Sequence, residues 1–140
     1  MLIKAIHPDF IMPTKSSELA GGWDLYMPEG GSIRSRSTTK VHLGFSAAVP
    51  EGYVALLLPR SGKGSMGLEL VNTSGVIDAD YRGEWIANLT IKPGYPVMNF
   101  SPGDRLIQAV IVPVYQGSLT LVPELPTTAR GDGGFGSSGA

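Results

Sequence analysis

The apolar runs of this chain are short, and glycine or proline closes nearly every one of them. Such punctuation leaves little room for helices, which need several uninterrupted turns to present an apolar stripe. Short runs bounded by turn residues predict instead an all-β domain of many strands. With 19 glycines and 11 prolines in 140 residues, the turns that such a fold requires are available. Met1 to Ile6 alternates apolar with polar residues and is expected to open the fold as a strand. Thr39 to Val49 keeps the same period, Val41, Leu43 and Phe45 alternating with Lys40, His42 and Gly44, and predicts one half-buried strand. Tyr53 to Leu58 is an almost continuous apolar strand stopped by Pro59. Leu106 to Val114 is apolar on both faces, as a central strand is. Gln108 is its sole polar interruption, and a buried Gln must find partners.

Composition excludes several kinds of chemistry. A net charge of −1 gives no electrostatic case for non-specific binding to a nucleic-acid backbone or an acidic membrane. The absence of cysteine rules out disulfides, thiolate catalysis and cysteine-ligated zinc. His7 and His42 lie far apart and lack the spacing of a zinc site. No signal peptide and no apolar run of membrane-spanning length is apparent, so an intracellular, cytoplasmic protein is expected.

Four stretches carry candidate chemistry. Asn72 to Gly83 is expected to form the tip of a β-hairpin that presents Asp78 and Asp80, two residues apart and therefore on one side. Val76 and Ile77 precede them and Tyr81 follows, and a carboxylate pressed against such neighbours is costly unless it is hydrogen-bonded or used. An acidic β-turn accounts for the same residues equally well. Upstream, Gly21 and Gly22 permit tight backbone geometry beside Asp24. After Pro59 a buried strand runs straight into Arg60, Ser61 and Gly62. A short helix over Ser61 to Met66 would leave its first N–H groups without partners, a place for an anion that Arg60 and Ser61 would also contact. The Walker spacing is absent, and a flexible surface turn is the alternative. Glu29 to Ser37, with two arginines among turn residues, is expected to be a hairpin loop.

Beyond Pro126 the chain changes character. Arg130 to Ala140 holds five glycines in eleven residues, too many to build a core. The expected organisation is a barrel domain over residues 1–126 and a mobile glycine-rich arm over 127–140. Arg130, Phe135, Ser137 and Ser138 give that arm a cation, a ring to stack and two hydroxyls, a set suited to closing over a ligand.

Taken together, these stretches resemble the five ordered motifs of the trimeric, all-β deoxyuridine triphosphatases (dUTPases). They are Ala20 to Leu25, Pro59 to Gly67, Gly75 to Glu84, Gly103 to Gln108 and Arg130 to Gly139, running from residue 20 almost to the C-terminus. The resemblance implies a distorted, jelly-roll-like β-barrel with one short helix after the second motif. It implies hydrolysis of dUTP to dUMP and pyrophosphate, which keeps uracil out of DNA and supplies dUMP for thymidylate synthesis. Mg²⁺ on the triphosphate and a homotrimer with active sites at its subunit interfaces are implied as well, each arm closing a site built by the other two subunits. By the same resemblance Asp78 is the catalytic base, and the backbone around Asn72, Gly75, Val76 and Ile77 reads the uracil edge. Tyr81 lies beneath the deoxyribose, while Arg60, Ser61, Gly62 and Gln108 hold phosphate oxygens. Asp24 reaches Mg²⁺ through water. Phe135 stacks on the uracil, Gly136 beside it belongs to the substrate-binding set, and Arg130, Ser137 and Ser138 bind the γ-phosphate. Trp23 and Met66 depart from the residues usual at their motif positions. The cytoplasm in question is the host's if the source is viral. The rival classes are a dCTP deaminase, a fold relative acting on the base, and a binding protein that kept the fold without turnover.

Overall fold

The computed structural model describes residues 1–134. In chain order its elements are β1 (Leu2–Ala5), β2 (Gly22–Tyr26), β3 (Gly31–Ile33), β4 (Thr39–His42), β5 (Phe45–Ala48), β6 (Tyr53–Pro59), α1 (Ser61–Ser65), β7 (Leu68–Leu70), β8 (Gly75–Ile77), β9 (Ile86–Ile91), β10 (Met98–Phe100) and β11 (Arg105–Pro113). The strands form four antiparallel sheets, ordered β2-β11-β6-β8, β4-β9-β7, β1-β5 and β3-β10. Wrapped around one core, they make the all-β domain expected from the short, punctuated apolar runs, in the jelly-roll-like barrel that the resemblance implies. None of the described helices is long and apolar enough to cross a membrane.

The core is built from the inward half of each strand's alternation. Leu25, Met27, Ile33, Leu43, Phe45, Leu57, Leu89, Ile91, Leu106 and Ile107 are almost wholly withdrawn from solvent. Within it Phe45 packs at a tilt against Trp85 with ring centroids 5.0 Å apart, and Phe10 adds a third ring at 5.4 Å from Phe45. β11 pairs with β2 on one side and β6 on the other, the central position its two-sided apolarity predicts.

Three expectations need correction. The stretch Thr39–Val49 is two strands, because Gly44 turns a corner at φ +74°, a conformation that favours glycine. A Cβ there would sit 2.8 Å from Cβ of His7. β4 then joins β9 while β5 joins β1; the apolar alternation runs through the corner unbroken, so periodicity alone does not reveal it. Glu29–Ser37 is no simple loop, since β3 lies within it and pairs with β10. Nor is Asn72–Gly83 a tight hairpin tip. β7 and β9 do pair, Leu70 opposite Leu89, but the connection between them swings out to place β8 on the edge of the other sheet, against β6. Gly75 makes that approach feasible, because a Cβ on it would come within 3.0 Å of Cβ of Leu57. In the turn before it Thr73 holds φ +67°, uncommon for a β-branched residue.

The chain after β11 forms no further strand among the described residues. Leu119 and Leu121 are 95% and 100% exposed, and Tyr115 and Leu125 nearly as open. The described part of the arm, residues 127–134, holds a local turn in which the Gly131 N–H bonds Thr128.

Leu57 is fully buried on β6, between β11 and β8. Leu57→Ala is expected to lower the unfolding free energy by about 2–5 kcal/mol, measured by urea denaturation.

Candidate active site

β6 delivers a chain of polar side chains at its C-terminal end. Pro59 stops the strand, and Arg60 follows in extended conformation as the residue capping α1, its N–H bonded to the Leu106 carbonyl at 3.0 Å. The Arg60 carbonyl accepts from the N–H groups of Lys63 and Gly64, which fastens the helix to it. No side chain caps α1, and Ser61 and Gly62 are exposed. Across the sheet, Asp24 on β2 lies opposite Gln108 on β11, and Gln108 lies opposite Leu58 on β6.

Asp24 is the electrostatic centre of this corner. Its side chain is only 8% exposed; Arg60 Nε donates to Oδ1 at 2.7 Å and Arg105 Nη1 to Oδ2 at 3.2 Å. A carboxylate so withdrawn from water needs such partners. Two cations against one anion leave a net positive corner whose guanidiniums are both still partly exposed. Arg105 also lies over the Tyr26 ring, 5.8 Å from its centroid, and Tyr26 in turn bonds Thr14. Gln108 donates its amide to the Pro59 carbonyl at 3.3 Å. The space for that amide comes from Gly22, where a Cβ would sit 2.3 Å from the Gln108 side-chain oxygen. Gly22 is therefore glycine on account of Gln108 rather than Asp24.

The second cluster stands at the other end of β6. Asp78 directly follows β8, whose register sets Ile77 opposite Ala55. The turn after it is clasped by Arg82, whose Nη1 donates to the carbonyls of Ala79 and Tyr81 at 2.6 and 3.0 Å. Val76, Ile77, Asp78, Tyr81, Glu84 and Ile86 line a small cavity of about 140 Å³. On its far side Asp78 borders a broader cleft shared with Tyr53, Asp80 and Arg82. Among the described residues the Asp78 carboxylate has neither a hydrogen-bond donor nor a cationic partner. Tyr81, predicted as a binding residue, has its ring over Gly83 and donates its hydroxyl to the Glu84 carbonyl at 3.1 Å. Among the described residues the outer edge of β8 carries no partner strand, so its backbone can meet a ligand with its own donors and acceptors.

Thus one chain brings Asp24, Arg60, Ser61, Gly62 and Gln108 together, and separately gathers Gly75, Val76, Ile77, Asp78 and Tyr81, with Asn72 exposed in the turn before them. The two groups do not meet. Asp78 falls level with Val54, and the extended chain from there to Arg60 covers about 20 Å. Arg130 bonds the Gly133 carbonyl within its own turn. Phe135, Gly136, Ser137 and Ser138 lie outside the described residues. The expectations from the sequence give no role to Arg105, Arg82 or Glu84. The signal for Arg105 was available in the Asp104-Arg105 pair that opens a central strand.

The sequence model of the dUTPase family matches residues 8–139. The chain belongs to the dUTPase family. Among relatives of this dUTPase-family chain, a deoxyuridine 5'-triphosphate nucleotidohydrolase of Syntrophotalea carbinolica is 41% identical, over 98% of this chain and 95% of its own length. The protein of the same name from Escherichia phage T5 is 38% identical over 99% and 97% of the two chains. In three dimensions, the Staphylococcus bacteriophage 80alpha dUTPase solved with dUPNHPP superposes with a TM-score of 0.86 at 26% identity, over 99% of this chain and 98% of that one. The dUTPase fold therefore extends over the whole described chain.

Among the described residues no group of three or more metal-ligating side chains comes together. Asp24, the predicted magnesium contact, has both oxygens engaged by arginine and does not suit direct ligation. Each oxygen keeps a further lone pair, so a metal-bound water donating to it remains compatible with the site. Asp24→Asn replaces the anion between two guanidiniums with a neutral amide. It is expected to lower unfolding free energy by about 1–3 kcal/mol in denaturant titrations, as both guanidiniums lose their anionic partner.

Proposed function

We propose that this chain is a dUTP nucleotidohydrolase, cleaving dUTP to dUMP and pyrophosphate. The observation that supports it best is a carboxylate without a partner among the described residues, beside a small cavity and carried on the dUTPase fold together with a positively charged corner. Asp78 acts as general base: it takes a proton from a water that attacks the α-phosphorus, and the α–β bridging oxygen leaves with pyrophosphate. Gly75, Val76 and Ile77 offer the open backbone edge of β8 to the uracil, with Asn72 completing the turn. Tyr81 lies beneath the deoxyribose. Arg60, Ser61 and Gly62 bind phosphate oxygens, and Gln108, steadied by the Pro59 carbonyl, reaches the α-phosphate. Catalysis is then mainly positioning and charge stabilisation.

A general base must lie within hydrogen-bond reach of its water, so the Asp78 and Arg60 of one chain, about 20 Å apart, cannot serve the same α-phosphate. We infer that each site joins the Asp78 end of one copy to the Arg60 end of another, in a homotrimer. The exposed apolar side chains between Tyr115 and Leu125 are suited to lie along a neighbouring copy, carrying the arm to a third surface. From that arm Phe135 and Gly136 cover the uracil, while Arg130, Ser137 and Ser138 bind the γ-phosphate. The barrel over 1–126 and the arm over 127–140 are the working units. Magnesium, when bound to the triphosphate, offsets its negative charge, with Asp24 accepting from a metal-bound water. The substrate pool points to the cytoplasm of the cell or of a phage's host. Neither nucleic acid nor membrane is a partner in this reading.

Pyrophosphate release from dUTP, compared with dTTP, dCTP and UTP, tests the activity; ammonia release from dCTP would move the chain to the deaminases. Asp78→Asn is expected to keep dUTP binding and lose at least about a hundredfold in kcat, the scale of general-base catalysis. Near wild-type turnover in that variant would remove Asp78 from the mechanism. Deleting residues 130–140 is expected to abolish most turnover while light scattering still reports a trimer.

A further inference from the structure

Glu84 is held by more contacts than its place at a strand entry requires. Its Oε2 lies 2.8 Å from His42 Nδ1, and its Oε1 accepts the Gly44 N–H at 3.1 Å. Its own carbonyl accepts the Tyr81 hydroxyl at 3.1 Å. Gly44 is a fixed point: it sits at the β4–β5 corner in the left-handed region, and its carbonyl takes the N–H groups of Ile6 and His7 at 2.8 and 3.0 Å. The next residue, Trp85, is fully buried and exchanges backbone hydrogen bonds with Leu43 and Phe45. Glu84 thus links the hydrogen-bonded corner at Gly44 and the buried core to a tyrosine that is 43% exposed.

That ring has few other restraints. Tyr81 lies against Gly83, where a Cβ would come 2.5 Å from Cζ, so the glycine gives it a flat floor. Its hydroxyl proton is committed to the Glu84 carbonyl. The height of the ring in the cavity is therefore set by where residues 83 and 84 lie, and the contacts of the Glu84 carboxylate with His42 and the Gly44 N–H hold that position. A ribose differs from a deoxyribose by one hydroxyl. A pocket excludes such a group by contact only if its wall cannot retreat, and displacements of the order of 1 Å decide such contests.

We propose that Glu84 is a positioning residue for sugar selection. Its carboxylate, clasped by His42 and the Gly44 N–H, holds Tyr81 where a 2′-hydroxyl would collide, and so sets the preference for deoxyribose over ribose triphosphates. This rests on the dUTP reading above and names the element that enforces one side of its specificity.

The test is kcat and KM for dUTP and UTP, measured on the full chain and its variants. Glu84→Ala is expected to narrow the dUTP/UTP ratio of kcat/KM at least tenfold, the change residing mainly in KM. Glu84→Gln keeps an oxygen for the Gly44 N–H and is expected to retain most of the ratio. Tyr81→Phe, which cuts the tether from the other side, is expected to narrow it too, and the double variant Glu84→Ala/Tyr81→Phe to go little further than either alone. A Glu84→Ala ratio within twofold of wild type, or an equal loss on both substrates, would show a scaffold role only and overturn the proposal. Should Glu84→Ala fail to fold, His42→Ala removes one clasp from the surface and is judged by the same ratio. A wild-type chain inert toward both nucleotides would overturn the dUTP reading and this proposal with it; an unchanged ratio in an active variant overturns this proposal alone.

Discussion

Strand β6 is the constraint on which the site depends. It pairs along its length with β11 and, over Ala55 to Leu57, with β8. Ala55 and Leu57 point into the core with no exposure, and a slip of one residue would turn them out to solvent. The register that buries them also fixes the positions of the polar residues at either end. Pro59 stops the strand where Arg60 can reach Asp24, and β8 ends where Asp78 emerges beside the cavity. Gly75 contributes by what it lacks, since a side chain there would press β8 away from Leu57.

At the Arg60 end the problem is electrostatic. Burying the Asp24 carboxylate carries a desolvation cost, which two charge-assisted hydrogen bonds offset. Neither arginine is buried with it. A buried anion holding two partly exposed cations fixes the guanidiniums in place, so in the proposed site less side-chain freedom would be lost when a phosphate binds. Tyr26 and Thr14 extend this ordering outward from Arg105. At the Asp78 end the arrangement is opposite: among the described residues the carboxylate has no cationic partner, and the ordering is applied to the backbone around it through Arg82 and Glu84.

Much of the fold is legible in the sequence because alternation and turn residues are local signals. The central position of β11 can be read from a few neighbouring residues, whereas the short helix after Pro59 is one of two local alternatives and follows from the resemblance. The corner at Gly44 could not, because alternation continues through it and only the positive φ marks it. The departure of β8 from the β7–β9 hairpin could not either, since it is decided by Leu57, eighteen residues before Gly75. The same holds for the site. Asp24, Arg60, Gln108 and Asp78 are visible as motif residues, but the engagement of Asp24 by Arg105 joins residues 81 positions apart. Glu84 and His42, 42 positions apart, escape a linear reading for the same reason.

The separation of Asp78 from Arg60 along β6 also has a genetic consequence. In the shared-site assembly proposed here, a chain defective at Arg60 still lends a sound Asp78 to its neighbour, and a chain defective at Asp78 still lends a sound Arg60. Two alleles that are each inactive alone would therefore restore one another in part when expressed together, because a fraction of mixed assemblies contains a pocket drawing only on the intact ends. Two lesions at the same end would not. The spacing along one strand thus divides inactive alleles into two complementation groups within a single gene.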